Sequence, residues 1–315
     1  MNKPNAVSDN LPPVVATLPR CFYSGTRTHP VYVDYIEPTN AIGGRMPIVM
    51  LHGAFHTGSG YIATPDGRPG WAFYFAQRGH AVFVVDWPGH GRSPASASFH
   101  TLSATDIADA IAVLLESIGP AIVMAHSAGG PIAWALCEQC PESVVAVVGL
   151  APGPPANIQK PLPDDRAAIE ALRNDESAGC PVYSPEDAPV YVDEPFIKNF
   201  WANAARFPQC GMDAYCKSIV AESARILNER FNIGGRGLAV NDPARVADRP
   251  ILIVTGDSDP RHPRHVDGKL ADYLNADHLW LADAGMPGNG HMFMLEDNSD
   301  DIAALIAGWL DTKKL

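Results

Sequence analysis

The chain has 315 residues, of which 35 are acidic and 23 basic, giving a formal net charge of −12. No Lys/Arg cluster stands out against that balance, which argues against nucleic acid as a partner. No stretch of about 18 apolar residues is present to span a membrane. A hydrophobic fraction of 46% supplies a sizeable core, near the size at which a single core begins to divide.

Residues 1–13 are polar and proline-rich, without an apolar segment of signal-peptide length. Residues 21–29 and 31–37 read as two opening strands, a hairpin at a sheet edge with Pro30 at its turn. The apolar runs 48–51, 81–85 and 120–125 are continuous rather than alternating, which suits central parallel strands covered on both faces. Helical patterns lie between them at 71–78, 104–118 and 131–139. In the second of these, Ile107, Ile111, Leu114 and Leu115 recur at helical spacing, and residues 101–105 offer several caps for its start. Alternating strands and helices predict a doubly wound, mostly parallel α/β sheet.

The rhythm breaks at the proline-rich residues 152–163. From 164 to about 241 only helix-like segments appear, at 165–174, 194–207 and 212–231. Sheet resumes at 250–255 and 278–282, and 300–310 reads as a closing helix. The expected organisation is a core of residues 20–153 and 246–315, with residues 154–245 inserted as a helical lid.

The motifs fall at the ends of the strands. Ala125-His126-Ser127-Ala128-Gly129 places a serine on the tight turn between a buried strand and a helix. There its hydroxyl stands clear of the sheet, and the amides at the helix start can stabilise negative charge. Such a turn strains the backbone and needs small residues two positions away on either side, here Ala125 and Gly129. A serine among small residues can also be only a turn or a helix cap, so the other motifs decide. His52-Gly53-Ala54-Phe55 follows the run 48–51. Gly256-Asp257-Ser258-Asp259-Pro260 follows 250–255, and Gly288-Asn289-Gly290-His291 precedes the final helix. Ser127 needs a base beside it, and His291, in a glycine-rich loop after the last strand, is the candidate. His52 is read as bracing the backbone, His126 as pointing away from the turn, and His262 and His265 as surface groups.

The order oxyanion loop, serine, acid, histidine resembles the α/β-hydrolase family from about residue 20 to the end. The resemblance implies a carboxylate three residues after Gly256, which selects Asp259 and leaves Asp257 to cap or brace the loop. It also implies an oxyanion hole built from the backbone amides of Ala54 and Ala128. A narrower resemblance rests on Thr64-Pro65-Asp66-Gly67-Arg68-Pro69-Gly70-Trp71 and on Gly290-His291-Met292-Phe293-Met294-Leu295-Glu296. Both are similar to stretches in a subgroup of esterase-like hydrolases. That subgroup often carries its triad acid as a Glu after the sixth strand, where this chain has Ala151.

The implied activity is that of a serine hydrolase acting on a small-molecule carboxylic ester, lactone or amide through an acyl-enzyme. A carbon–carbon bond hydrolase with the same triad and a non-catalytic ligand-binding protein of this fold are the competing readings. Phe55, Phe200 and Trp201 are the candidate substrate contacts, with Phe196, Phe207, Met212 and Tyr215 as further candidate pocket residues. No metal or cofactor is called for, and no phosphate-cradling loop is visible. Cys137 and Cys140 form a C-x-x-C without a second pair at zinc-site spacing. Reduced structural thiols and a cytoplasmic location are therefore expected. The sequence is silent on oligomeric state.

Overall fold

A computed structural model describes residues 20–39 and 44–315; the polar segment 1–13 lies outside the described residues. Eight strands form one sheet: β1 (Arg20–Gly25), β2 (Pro30–Ile36), β3 (Ile48–Leu51), β4 (Val82–Asp86), β5 (Ala121–His126), β6 (Val144–Leu150), β7 (Ile251–Thr255) and β8 (Asp277–Trp280). Their spatial order is β1-β2-β4-β3-β5-β6-β7-β8. The β1–β2 and β2–β4 pairings are antiparallel. All pairings from β4 to β8 are parallel.

Eleven α-helices accompany the sheet among the described residues: α1 (Ser59–Ile62), α2 (Trp71–Gln77), α3 (Ala104–Ile118), α4 (Gly129–Gln139), α5 (Arg166–Ala171), α6 (Glu194–Phe200), α7 (Met212–Ser218), α8 (Ala224–Arg230), α9 (Pro243–Ala247), α10 (Arg264–Leu274) and α11 (Ser299–Lys313).

Strand alternation divides the core into two layers. Ile48, Met50, Ile122 and Met124 pack with Trp71 and Phe75 of α2 and Ile302, Ile306 and Leu310 of α11. Val49, Leu51, Val123 and Ala125 face the other way, against Ile107 and Leu114 of α3, Trp134 of α4 and Leu270 of α10. Both faces of β3 and β5 are covered, which accounts for their continuous apolar runs. Helix α3 starts at a capping box in which Ser103 and Asp106 satisfy each other's amides.

The chain leaves β3 towards β4 on one side and returns to place β5 on the other. Strand order therefore reverses between β3 and β5, and a crevice opens at their carboxyl ends, where α/β sheets bind ligands.

The segment between β6 and β7 contains α5 to α9. It departs from the sequence expectation at two places. The helix read over 212–231 is interrupted between α7 and α8, because Glu222 is drawn into extended pairing with Val190 and its carboxylate is claimed by buried partners described below. The helix read over 194–207 ends at Phe200. Beyond it, Asn203 donates to the Ser258 carbonyl at 2.8 Å and Arg206 to the Pro287 carbonyl at 2.8 Å, tying this stretch to the loops after β7 and β8. Helix α10 was not anticipated; its apolar stripe is short and its mean composition polar. All six cysteines are free thiols.

Candidate active site

Ser127 follows β5 directly and adopts φ 52°, in the left-handed region, at a cost of about 1–3 kcal/mol for a non-glycine residue. Three features hold it there. Its amide donates to the Leu150 carbonyl at 3.0 Å, and its carbonyl accepts from the amides of Gly130 at 2.9 Å and Gly153 at 2.7 Å. Neighbouring space is tight: a Cβ at Gly129 would lie 3.0 Å from the His52 carbonyl oxygen and 3.5 Å from Ala125 Cβ. Alanine at 125 therefore fits, but a side chain at 129 has little room. A Cβ at Gly53 would sit 2.9 Å from Ser127 Cβ.

His291 Nε2 lies 3.0 Å from Ser127 Oγ, and His291 Nδ1 lies 2.6 Å from Asp259 Oδ2. Asp259 Oδ1 accepts from the Arg261 amide at 2.9 Å. All the ring and carboxylate surface is buried. Burial pushes the His291 imidazole below its ordinary value of 6.5, against the pull of Asp259 in the opposite direction. Burial alone would raise Asp259, but the charges and hydrogen bond of the neighbouring histidines prevail and bring it down to about 2. The arrangement can take a proton from the hydroxyl onto Nε2 while an anion holds Nδ1–H.

Asp257 is placed differently. Its Oδ1 accepts from the amides of Gly288 at 2.8 Å and Asn289 at 3.3 Å, bracing the histidine loop without touching the imidazole. Glu296 braces the same loop from inside, accepting from the Gly290 amide at 2.8 Å and Asn289 Nδ2 at 2.6 Å. His126 Nε2 meets the His291 carbonyl at 3.1 Å.

The two stretches that carried the narrower resemblance dock on each other. Arg68 donates to Ser299 Oγ at 2.9 Å and to the carbonyls of Leu295 at 3.1 Å and Glu296 at 2.9 Å, while Trp71 Nε1 reaches the Ser299 carbonyl at 3.0 Å. One motif is thus a clamp on the other, and the clamp fixes the segment that follows His291.

The amides of Ala54 and Ala128 donate to no protein acceptor among the described residues. Both residues line one narrow cavity with Ser127 and His291. The loop carrying Ala54 is held by a group that sequence reasoning missed. Phe55 takes φ 65°, its amide donates to Glu222 Oε2 at 2.8 Å and its carbonyl accepts from Val220 at 2.9 Å. Glu222 is wholly buried, meets His90 Nε2 at 3.1 Å through both oxygens, and accepts from the Ser223 amide at 2.7 Å. Burial by itself would lower His90, but Glu222 overrides it and raises it. The only sequence trace of this pairing is an acidic residue inside an apolar helical pattern. His52 keeps its bracing position: its Nδ1 meets the Gly53 carbonyl at 2.8 Å and its Nε2 accepts from the Trp87 amide at 3.0 Å. Burial pushes His52 down to about 3, so it holds a neutral tautomer.

The cavity wall comes from the Phe55 loop and from the β6–β7 segment, with Phe55, Val182, Phe196, Trp201, Leu227 and Phe231 among its apolar members. Phe200 is absent from it. That ring sits behind Phe196, 4.7 Å centroid to centroid, as core packing. His262, read as a surface group, is buried: its ring stacks on His291 at 5.3 Å and its Nδ1 meets Asp267 Oδ1 at 2.9 Å. The missed helix α10 is the reason, since it supplies Asp267. His265 is exposed, as read. Asp259, His262 and His291 are the one group of potential metal ligands among the described residues, with donor atoms within 4.8 Å of one another. Both Nδ1 atoms in that group already face carboxylates.

A mostly parallel sheet wound on both sides, with a strained serine, a histidine and an aspartate on three strand-end loops, defines the architecture of the α/β hydrolases. The alpha/beta hydrolase family model matches residues 48–305, and the chain belongs to that family. A fungal protein (Fungal sp., strain ATCC 74256) called probable secreted lipase phiG is 24% identical over 352 residues, covering 92% of this chain and 88% of its own. Among solved structures, Est816, described as an N-acyl homoserine lactone degrading enzyme, is 22% identical with a TM-score of 0.61. That match covers 91% of this chain and 100% of the other. The methylesterase MES16 from Arabidopsis is 13% identical with a TM-score of 0.62, covering 85% of this chain and 100% of that one.

Proposed function

We propose that this α/β hydrolase is a carboxylesterase-like serine hydrolase that cleaves carboxylic esters, lactones included as cyclic esters, through an acyl-enzyme on Ser127. The observation that carries the reading is the continuous chain Ser127 Oγ–His291 Nε2, 3.0 Å, and His291 Nδ1–Asp259 Oδ2, 2.6 Å, beside two amides without protein acceptors among the described residues.

In this reading His291 accepts the Ser127 proton as Oγ bonds to the ester carbonyl carbon. The carbonyl oxygen becomes an oxyanion held by the amides of Ala54 and Ala128. As the tetrahedral intermediate collapses, the C–O bond to the alcohol breaks and His291 returns its proton to that oxygen. A water then repeats the cycle on the acyl-enzyme, releasing the acid and restoring the hydroxyl. Asp259 fixes the tautomer and stabilises the imidazolium. The segment 154–245 serves as the lid that walls the site and selects the acyl group.

The relatives named as a probable lipase and a methylesterase carry names that denote ester bonds, and a third is named for degrading an N-acyl homoserine lactone, which supports this class over carbon–carbon cleavage. The test is labelling with a fluorophosphonate, with the modified peptide mapped by mass spectrometry, alongside a panel of chromogenic esters. Modification at Ser127 with ester turnover is expected. A protein that binds esters but neither turns them over nor reacts at Ser127 would favour the non-catalytic reading.

A further inference from the structure

Arg230, at the end of α8, and Arg261, after β7, are each only 8% exposed, yet neither forms an ion pair among the described residues. Buried guanidinium groups are ordinarily matched by a carboxylate, because an unpaired buried charge is costly. The buried carboxylates nearby are already engaged: Asp259 by His291 and Asp267 by His262. What the protein offers instead is slight. Arg261 Nε reaches the Gly179 carbonyl at 3.3 Å, and an Arg230 terminal nitrogen lies 3.5 Å from His262 Nε2. The two guanidinium carbons sit 5.4 and 5.3 Å from the Phe231 ring centroid. Burial and the mutual repulsion of the pair push Arg230 down to about 10.

Their position is tied to the reacting centre. The Arg261 amide donates to Asp259, and Arg230 packs where Gly153, whose own amide holds the Ser127 carbonyl, lacks a side chain: a Cβ there would lie 2.7 Å from Arg230 Nε. Arg230, Phe231 and Arg261 line the narrow catalytic cavity of about 10 Å³ on one side and a cavity of about 450 Å³ on the other. The larger cavity also carries Lys160 and Lys269, with Asp175 and Glu176 on its wall. Asp175 is turned back on its own loop by bonds to Ser177.

We propose that Arg230 and Arg261 form a subsite for a carboxylate on the substrate, so that the ester cleaved at Ser127 carries an acid group at the far end of its acyl chain. A carboxylate brings a negative charge to a pair of cations that forms no ion pair of its own among the described residues. It also presents two oxygens to forked donors that recognise this geometry bidentately. The inference rests on the ester reading above and deepens it.

Two substrates of equal chain length test it: the 4-nitrophenyl monoester of glutaric acid and 4-nitrophenyl pentanoate. The wild type should prefer the charged ester in kcat/KM by about tenfold or more, the size expected when a charge-assisted hydrogen bond to a buried group is made. Arg230→Gln and Arg261→Gln should each collapse that ratio towards one, chiefly through KM, and Arg230→Lys should restore part of it. A wild-type ratio of one or below overturns the subsite, as does an equal loss on both esters in the variants. If the variants fail to fold, the wild-type ratio decides alone. Failure of the serine reading looks different, with neither ester cleaved and no fluorophosphonate adduct on Ser127. In that case titration calorimetry of glutarate with the wild type still decides, binding supporting the subsite and no binding overturning it.

Discussion

The strand-end loops and the β6–β7 segment contribute to the same cavity by different means. The loops after β3, β5, β7 and β8 place Ala54, Ser127, Asp259 and His291 through backbone constraint: left-handed φ at Phe55 and Ser127, glycines that admit no Cβ, and the Asp257 carboxylate that holds amides of the histidine loop. Residues 154–245 act through side-chain bulk, presenting Phe196, Trp201, Leu227 and Phe231 as wall. Backbone constraint leaves a local signature in sequence, whereas wall packing does not. The first region should therefore govern kcat and the second KM and acyl preference.

The largest expected effect lies in the first region. Ser127→Ala should lower ester kcat/KM by about 10⁴ or more while the melting temperature holds, since the other donors remain in place. Asp259→Asn should cost about 10⁴ by favouring the wrong imidazole tautomer. Asp257→Asn should cost far less, because that side chain holds only amides of the histidine loop. A severe Asp257 variant beside a mild Asp259 variant would reverse the assignment of the acid.

Glu222→Gln is a sharper probe, because Glu222 lies in the β6–β7 segment but acts on the backbone-constrained loop. It should lower kcat by about 10–10², less than outright loss of an oxyanion donor. KM should change little if Glu222 positions the Ala54 amide. A change confined to KM would place it with the wall.

Trp201→Ala and Phe200→Ala divide wall from packing. Both should lower the melting temperature, at about 3–5 kcal/mol for truncating a large buried aromatic ring. Only Trp201→Ala should shift the preference among acyl lengths, because Phe200 stands behind Phe196. Equal shifts in a panel of chain lengths would erase the distinction.

Proton linkage gives smaller effects. His291 must be neutral to accept a proton, and its burial holds it below 6.5. Activity should therefore fall on an acid limb below 6.5 and stay level above it, and a limb centred above 7 would contradict the geometry. Burial raises Glu229 and Glu296 from 4.5 to about 7. The folded form then holds protons that the unfolded chain has released, so the contribution of these two groups declines as pH rises from about 4.5 to 7. The buried His52, His56, His126 and His291, pushed below 6.5, act oppositely and outnumber them, so net stability should rise over that range. Thermal melts across that range would show it.

Much of this was legible in the sequence. The strand runs 48–51 and 120–125 matched because central strands are apolar on both faces, and the order of the four motifs follows chain topology. What stayed hidden was long-range pairing. Glu222 meets Phe55 across 167 residues. His262 is buried only because α10 returns Asp267 to it. Phe200 and Trp201 look equivalent in sequence, yet a turn at the end of α6 sends one into the cavity wall and the other behind it. None of these has a local pattern to read.

The central claim is that a covalent intermediate forms on Ser127. Rapid-quench mass spectrometry during turnover of 4-nitrophenyl acetate measures it directly. The account predicts a peptide containing Ser127 that carries one acetyl group, appearing within the first turnover and absent from Ser127→Ala. Steady turnover with no acylated Ser127 peptide, and comparable turnover by the alanine variant, would contradict it.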